Sequence, residues 1–136
     1  MTFHPFQRAI LRRSTNEYAC LLAPNAQLHS PVLHLPFAGA ATVAAMLPVL
    51  RANFTELVYT DTFEAPATRA AIFRGQIAAR DAEGLLLLRL DGDDLVEHVT
   101  VMLRPMSVGQ ALAQAMATKI ERLPDNTYRL RSASNA

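Results

Sequence analysis

The chain reads as an α+β domain on three observations. Helical spacings fill its first part, period-two apolar runs fill most of the rest, and the polar turn Asp91, Gly92, Asp93, Asp94 joins two apolar runs as a hairpin. A length of 136 residues suits a single domain over 1–136, large enough for one core without disulfide or metal staples. Hydrophobic residues make up 51% of the chain and charged residues 18%, which favours a packed domain over a disordered one.

The elements follow in order. Phe3, Phe6, Ile10 and Leu11 recur at helical spacing and predict a first helix that breaks near Arg13. Ser14 with Glu17 has the form of a capping box and opens a second helix. This helix carries Tyr18, Leu21 and Leu22 on one face and ends before Pro24. From Gln27 to Val32 the chain runs extended, and Pro31, which lacks an N–H, marks the run as an edge strand. Gly39 opens an Ala-rich helix reaching about Asn53, with Pro48 interrupting its hydrogen bonding. Strands are predicted for Thr55 to Phe63, Thr68 to Arg80, Leu85 to Leu90 and Leu95 to Arg104, with Gly84 and Gly92 in turns. In the second of these, the long polar Arg74 and Gln76 should face outward with Ile72 and Ala78, leaving Phe73, Gly75, Ile77 and Ala79 on the concave side. Ser107 with Gln110 forms a second capping box. It opens a final helix through Leu112, Ala115, Met116 and Ile120, followed by a flexible tail over 125–136.

Composition narrows the function classes. The formal net charge is +1, the basic residues are scattered, and the few aromatics do not interleave with them. This excludes a nucleic-acid footprint. Cys20 is the sole cysteine, so neither a disulfide nor a cysteine zinc site is expected, and His29 and His34 fall on opposite faces of a regular strand. No apolar run is long enough to span a membrane, and no secretory h-region follows Met1. We expect a soluble cytoplasmic protein with no metal. No Gly-rich loop stands between a strand and a helix to cradle a phosphate, so no cofactor is expected.

Two helices lead into Leu22, Ala23, Pro24 and then Ser30, Pro31, Val32. A Phe37 to Gly39 approach to a third helix comes next, and a hairpin ends in Val101, Met102, Leu103, Arg104, Pro105. This order resembles the nuclear transport factor 2-like superfamily, which includes ketosteroid isomerases and SnoaL-type cyclases as well as binding proteins without catalysis. The resemblance spans about Phe3 to Met116 and implies N-terminal helices packed in a strongly curved, mostly antiparallel sheet. The result is a cone-shaped α+β barrel, with a C-terminal helix. It implies a pocket lined by Phe6, Tyr18, Ser30, Val32, Phe37, Tyr59, Phe73, Leu86, Thr100 and Met102, and pairing of two copies through the sheet. Steroid isomerisation needs an Asp base and an oxyanion hole of a Tyr and a protonated Asp. The resemblance puts Ser30, Phe6 and Leu86 at those three places, so the polar instruments of that reaction are missing.

His98 is the remaining candidate for acid–base chemistry. Period-two alternation places it with Val96, Thr100 and Met102, and the resemblance turns that face into the cone, where burial can bring an imidazole near neutrality. Tyr59 and Asp61 share a face of their strand, and Asp61 turned inward would orient His98. The opposite face of the last strand, Leu95, Val99, Val101 and Leu103, with Leu86 and Leu88, would then form a broad outer apolar surface. The final helix and a second copy of the chain would cover it. Two functions fit: a pocket protein for a small apolar or aromatic molecule with acid–base chemistry at His98, or a non-catalytic homodimeric binding or interaction module.

Overall fold

The structure, a computed structural model, describes residues 2–131. Helix α1 (Pro5–Arg12) starts with proline at its first position and is capped by His4. The His4 ring accepts from the Phe6 N–H, while the Gln7 side chain accepts from the His4 N–H. Arg13 ends the helix in the left-handed conformation at φ 57°. Helix α2 (Thr15–Leu21) begins after Ser14 as expected, but the capping box does not close: Ser14 makes no side-chain cap bond, and the Glu17 carboxylate turns to Arg12.

Strand β1 (Leu22–His29) begins five residues earlier than predicted and is not an edge. It lies between β2 (Phe37–Ala38), antiparallel, and β6 (Val96–Arg104), parallel. Pro24 is tolerated because it falls in the interval between Leu22 and Gln27, where the register with β6 shifts and no ladder bond is asked of it. Helix α3 (Ala40–Arg51) follows Gly39, whose φ of 93° suits glycine, and runs on past Pro48. Val43, Met46, Leu47 and Leu50 bury its inner face.

Three long strands, β3 (Thr55–Ala65), β4 (Thr68–Ile77) and β5 (Arg80–Leu90), then join β6 as an antiparallel meander. The turn between β4 and β5 lies at Ala78–Ala79, both at positive φ (51° and 61°), and not at Gly84. Ala79 is therefore an exposed turn residue and not a concave one, while Phe73 and Ile77 face inward and Arg74 outward as the pattern predicts. Gly84 lies within β5, and the Phe73 ring covers it so closely that a Cβ there would fall 2.2 Å from Phe73 Cζ.

Helix α4 (Met106–Met116) is preceded by Pro105, without the predicted Ser107–Gln110 box, and stops short of Ile120. The chain beyond it is not a flexible tail throughout: β7 (Ile120–Arg122) and β8 (Tyr128–Leu130) form a hairpin that adds to β2 through Phe37 and Tyr128. Residues 132–136 of the predicted tail lie outside the described residues. The eight strands form one curved, open sheet in the order β3-β4-β5-β6-β1-β2-β8-β7. One core fills its concave side, uniting Phe6, Tyr18, Phe37, α3 and the inner faces of β4 to β6. Leu112 and Met116 of α4 join the same core, where Met116 meets Asn53 beyond the end of α3. The final helix thus does not cover the outer sheet face.

Candidate functional site

A cavity of about 50 Å³ opens on the concave side between α3 and strands β3 to β6. Leu47 and Leu50 of α3 and Phe54 line it from the helix side, and Phe73, Leu86, Val99 and Val101 from the sheet. Ile10, Leu57 and Arg51 are the partly exposed lining residues and mark its mouth. Only Arg51 and Tyr59 bring polar atoms to it, and both are engaged with backbone. Arg51 Nε donates to the Ile10 carbonyl at 2.8 Å, its Nη1 to Phe54 at 3.0 Å and its Nη2 to Leu11 at 3.4 Å. The Tyr59 hydroxyl donates to the Gln7 carbonyl at 2.8 Å. Burial pushes the Tyr59 hydroxyl pKa well up and holds the Arg51 guanidinium below its ordinary value, since each charged form loses hydration there.

The expected imidazole is elsewhere. Val96 faces the core, but Glu97 is an extra residue opposite the Arg89–Leu90 step of β5, and this bulge reverses the alternation after it. Val99 and Val101 turn inward, and His98, Thr100 and Met102 turn to the convex face, where Met102 is 50% exposed. The surface read as outer, Val99 and Val101 with Leu86 and Leu88, is the wall of the cone. A second bulge, at Thr60, separates Tyr59 from Asp61: Tyr59 pairs with Phe73 and is buried, while Asp61 pairs with Ile72 and is exposed. Strands β4 and β5 lie between the strands of Asp61 and His98, so the two form no pair. His98 instead stacks on His29, ring centroids 5.8 Å apart. Burial and the neighbouring His98 lower the His29 pKa.

Of the other expected pocket residues, Tyr59, Phe73 and Leu86 line the cavity. Phe6, Tyr18 and Phe37 are fully buried core, and Ser30 and Val32 lie half-buried after β1, the Ser30 hydroxyl accepting from the Val32 N–H. Sequence reasoning missed Arg51. Its signal was present: it is the sole charge in α3 and continues the stripe of Leu47 and Phe54 at helical spacing. Among the described residues no group of three His, Cys, Asp or Glu side chains could hold a metal ion.

No family model matches this sequence, and no curated protein does. Solved structures do. A steroid delta-isomerase from Pseudomonas aeruginosa is 30% identical, with 82% of this chain and 83% of that one covered and a TM-score of 0.78. The chain belongs to the nuclear transport factor 2-like superfamily. A bacterial protein with a cystatin-like fold from Silicibacter pomeroyi, described as uncharacterized, shares 25% identity over 85% of this chain and 84% of its own, at a TM-score of 0.80. A nuclear transport factor 2-like protein of unknown function from Cytophaga hutchinsonii aligns over 75% of this chain and 86% of its own, at 15% identity and a TM-score of 0.62, and attests the fold alone. Membership of this superfamily accounts for the curved sheet around helices and for the concave cavity, an architecture suited to small-molecule binding. Ser30 is half-buried, Phe6 is fully buried and Leu86 stands in the cavity wall.

Proposed function

We propose that this nuclear transport factor 2-like domain binds a small apolar molecule, or the apolar end of a larger one, in the cone without acid–base catalysis. The observation that carries this reading is the cavity lining: hydrocarbon apart from two polar side chains, both already bonded to backbone carbonyls. Isomerisation needs a group that takes a proton from carbon and returns it, and neither a guanidinium nor a tyrosine with a raised pKa does so near neutrality. A cavity of 50 Å³ has room for about three or four waters or the end of a short chain, and an apolar one gains by filling with hydrocarbon. The name of the Pseudomonas aeruginosa relative supplies the competing activity. Incubation with a β,γ-unsaturated ketosteroid should show no conjugated ketone forming in the ultraviolet, while short hydrocarbons should raise the melting temperature. Turnover of the steroid would overturn the reading, and so would a melting temperature that no hydrocarbon moves.

A homodimer through the convex face is the second reading. Three of the four large apolar side chains most exposed among the described residues, Val58, Phe63 and Met102, belong to strands of that face, with Ile72, Leu85 and Leu87 half-buried beside them. Isolated domains rarely leave so much hydrocarbon bare, and a stable pair would bury at least roughly 1,000 Å². Light scattering should give twice the chain mass at micromolar concentration, and Met102→Lys should return it to one.

A further inference from the structure

The convex face carries a pair of side chains that the cone does not use. His29 ends β1 and His98 lies in β6, and the parallel register sets Gln27 opposite His98 and Thr100 opposite His29. Since His98 and Thr100 share a face, the two histidines are diagonal neighbours on adjacent strands. Their rings lie 5.8 Å apart, centroid to centroid, and are inclined by 20°. Two imidazoles on one tetrahedral ion, with metal–nitrogen bonds of about 2.0–2.1 Å, have their centroids about 5 Å apart, within about 1 Å of the separation here. Both rings are partly exposed on an open face, so rotation about their side-chain torsions closes that gap without moving either strand.

The nitrogen lone pairs of the two rings are not spent elsewhere. His4 uses both of its ring nitrogens, one accepting from the Phe6 N–H and the other 3.3 Å from the Asp94 carbonyl. Neither ring of the convex pair has a hydrogen-bond partner among the described residues. Metal ligation requires the neutral imidazole. Burial, and after it the charge of a protonated His98, hold the His29 pKa below its ordinary value, so that ring stays neutral to lower pH than a free imidazole. Arg89 stands opposite His98 on β5, and its guanidinium is turned away, donating to the Thr68 hydroxyl on β4 at 2.9 Å.

We propose that His29 and His98 form a two-point chelating site for a divalent late transition-metal ion, with water in its remaining positions. Imidazole nitrogens select against Mg²⁺ and Ca²⁺, which take oxygen ligands, and among the late ions Cu²⁺ binds such a pair most tightly. No third His, Cys, Asp or Glu joins the pair among the described residues, so the ion is held open to solvent and not as a closed structural centre. The site lies across the sheet from the cavity and is independent of what the cone binds.

Titration calorimetry of the full chain with Cu²⁺, Ni²⁺, Zn²⁺ and Mg²⁺ tests the site. One Cu²⁺ should bind per chain, more tightly than Ni²⁺ or Zn²⁺, with no binding of Mg²⁺. His29→Gln and His98→Gln should each weaken copper binding at least about tenfold, the loss that follows from removing even a supporting partner of a ligand. The double variant should lose little more than either single one, because one imidazole alone does not chelate. His34→Gln, in the loop after β1, should change nothing. Without metal every variant should melt near the parent, and Cu²⁺ should raise the melting temperature of the parent and of His34→Gln alone. Lowering the pH from about 7.5 to about 5 should abolish binding as the imidazoles take up protons. Absence of Cu²⁺ binding, a copper affinity indifferent to His29→Gln or His98→Gln, or an equal loss in His34→Gln overturns the site.

Discussion

The two faces of the meander are built from the same strands and differ in almost every other respect. On the concave face Phe73, Leu86, Leu88, Val99 and Val101 are buried against α3. On the convex face Ile72, Leu85 and Leu87 are half-buried, and Val58, Phe63 and Met102 are more than half exposed or close to it. Both rows are hydrocarbon, so composition does not tell them apart. Parity does, and the single-residue bulges at Thr60 and Glu97 reverse it just before Asp61 and His98. Chemistry placed by alternation alone, at His98 and Asp61, therefore lands on the wrong side of the sheet.

The sharpest way to break this comparison is to put a charge on each of two adjacent positions of β6. Val99→Asp buries a carboxylate in the cone wall and should cost at least about 3 kcal/mol, enough to threaten folding. His98→Asp, one residue away on the convex face, should cost about 1 kcal/mol or less. Comparable losses in urea midpoints would mean that the bulge at Glu97 is not where the register places it.

Cavity formation separates the faces by a smaller margin. Leu88 is fully buried and Leu87 half-buried, so Leu88→Ala should cost about 2–5 kcal/mol and Leu87→Ala well under half of that. Denaturant melts at several protein concentrations sharpen the result: a Leu87→Ala loss that grows with concentration is the signature of a convex-face dimer.

Alkaline pH probes the polar corner of the concave side. Burial raises the Tyr59 pKa, so the folded state resists losing that proton while the unfolded chain gives it up near its ordinary value of about 10. The stability this confers is fully present below about pH 10 and drains away as pH rises above it towards the folded value. Melting temperatures from pH 8 upward should fall steeply there, and Tyr59→Phe should flatten the fall at a cost of about 1 kcal/mol for the bond to Gln7. An unchanged alkaline profile in that variant would assign the loss to other groups.

The smallest expected effect is a gain. Ala78 and Ala79 hold positive φ in a two-residue turn that Asn-Gly adopts with less strain. Replacing the pair by Asn-Gly should stabilise the domain by about 1 kcal/mol, read as a shift in urea midpoint without a change in slope.

Much of this molecule was legible before folding was considered. The spacing of Phe6 and Ile10, the Gly39 start of α3, the Asp91–Asp94 turn and the inward set Phe73 and Ile77 are all local patterns. A local pattern carries over when nothing distant opposes it, as in β4, where Arg74 and Gln76 cannot be buried cheaply and so fix its faces. The capping boxes at Ser14 and Ser107 were equally local and did not form, because Glu17 found Arg12 and α4 begins directly after Pro105. Other features needed the assembled structure. A bulge leaves no composition signal, since Glu97 is an ordinary strand residue until its partner strand lacks a residue to oppose it. The parallel contact of β1 with β6, which makes a Pro-containing segment an interior strand, joins residues some seventy positions apart. The site belongs to the same class: Arg51 and Tyr59 come from α3 and β3, and only packing brings a lone helix charge and a bonded hydroxyl to one cavity. What the sequence determined by itself is the fold class and most of its elements, because propensity and periodicity act over a few residues. Which face became the cone, and which polar groups stand in it, was decided by strand register and helix docking, which depend on partners distant in the chain.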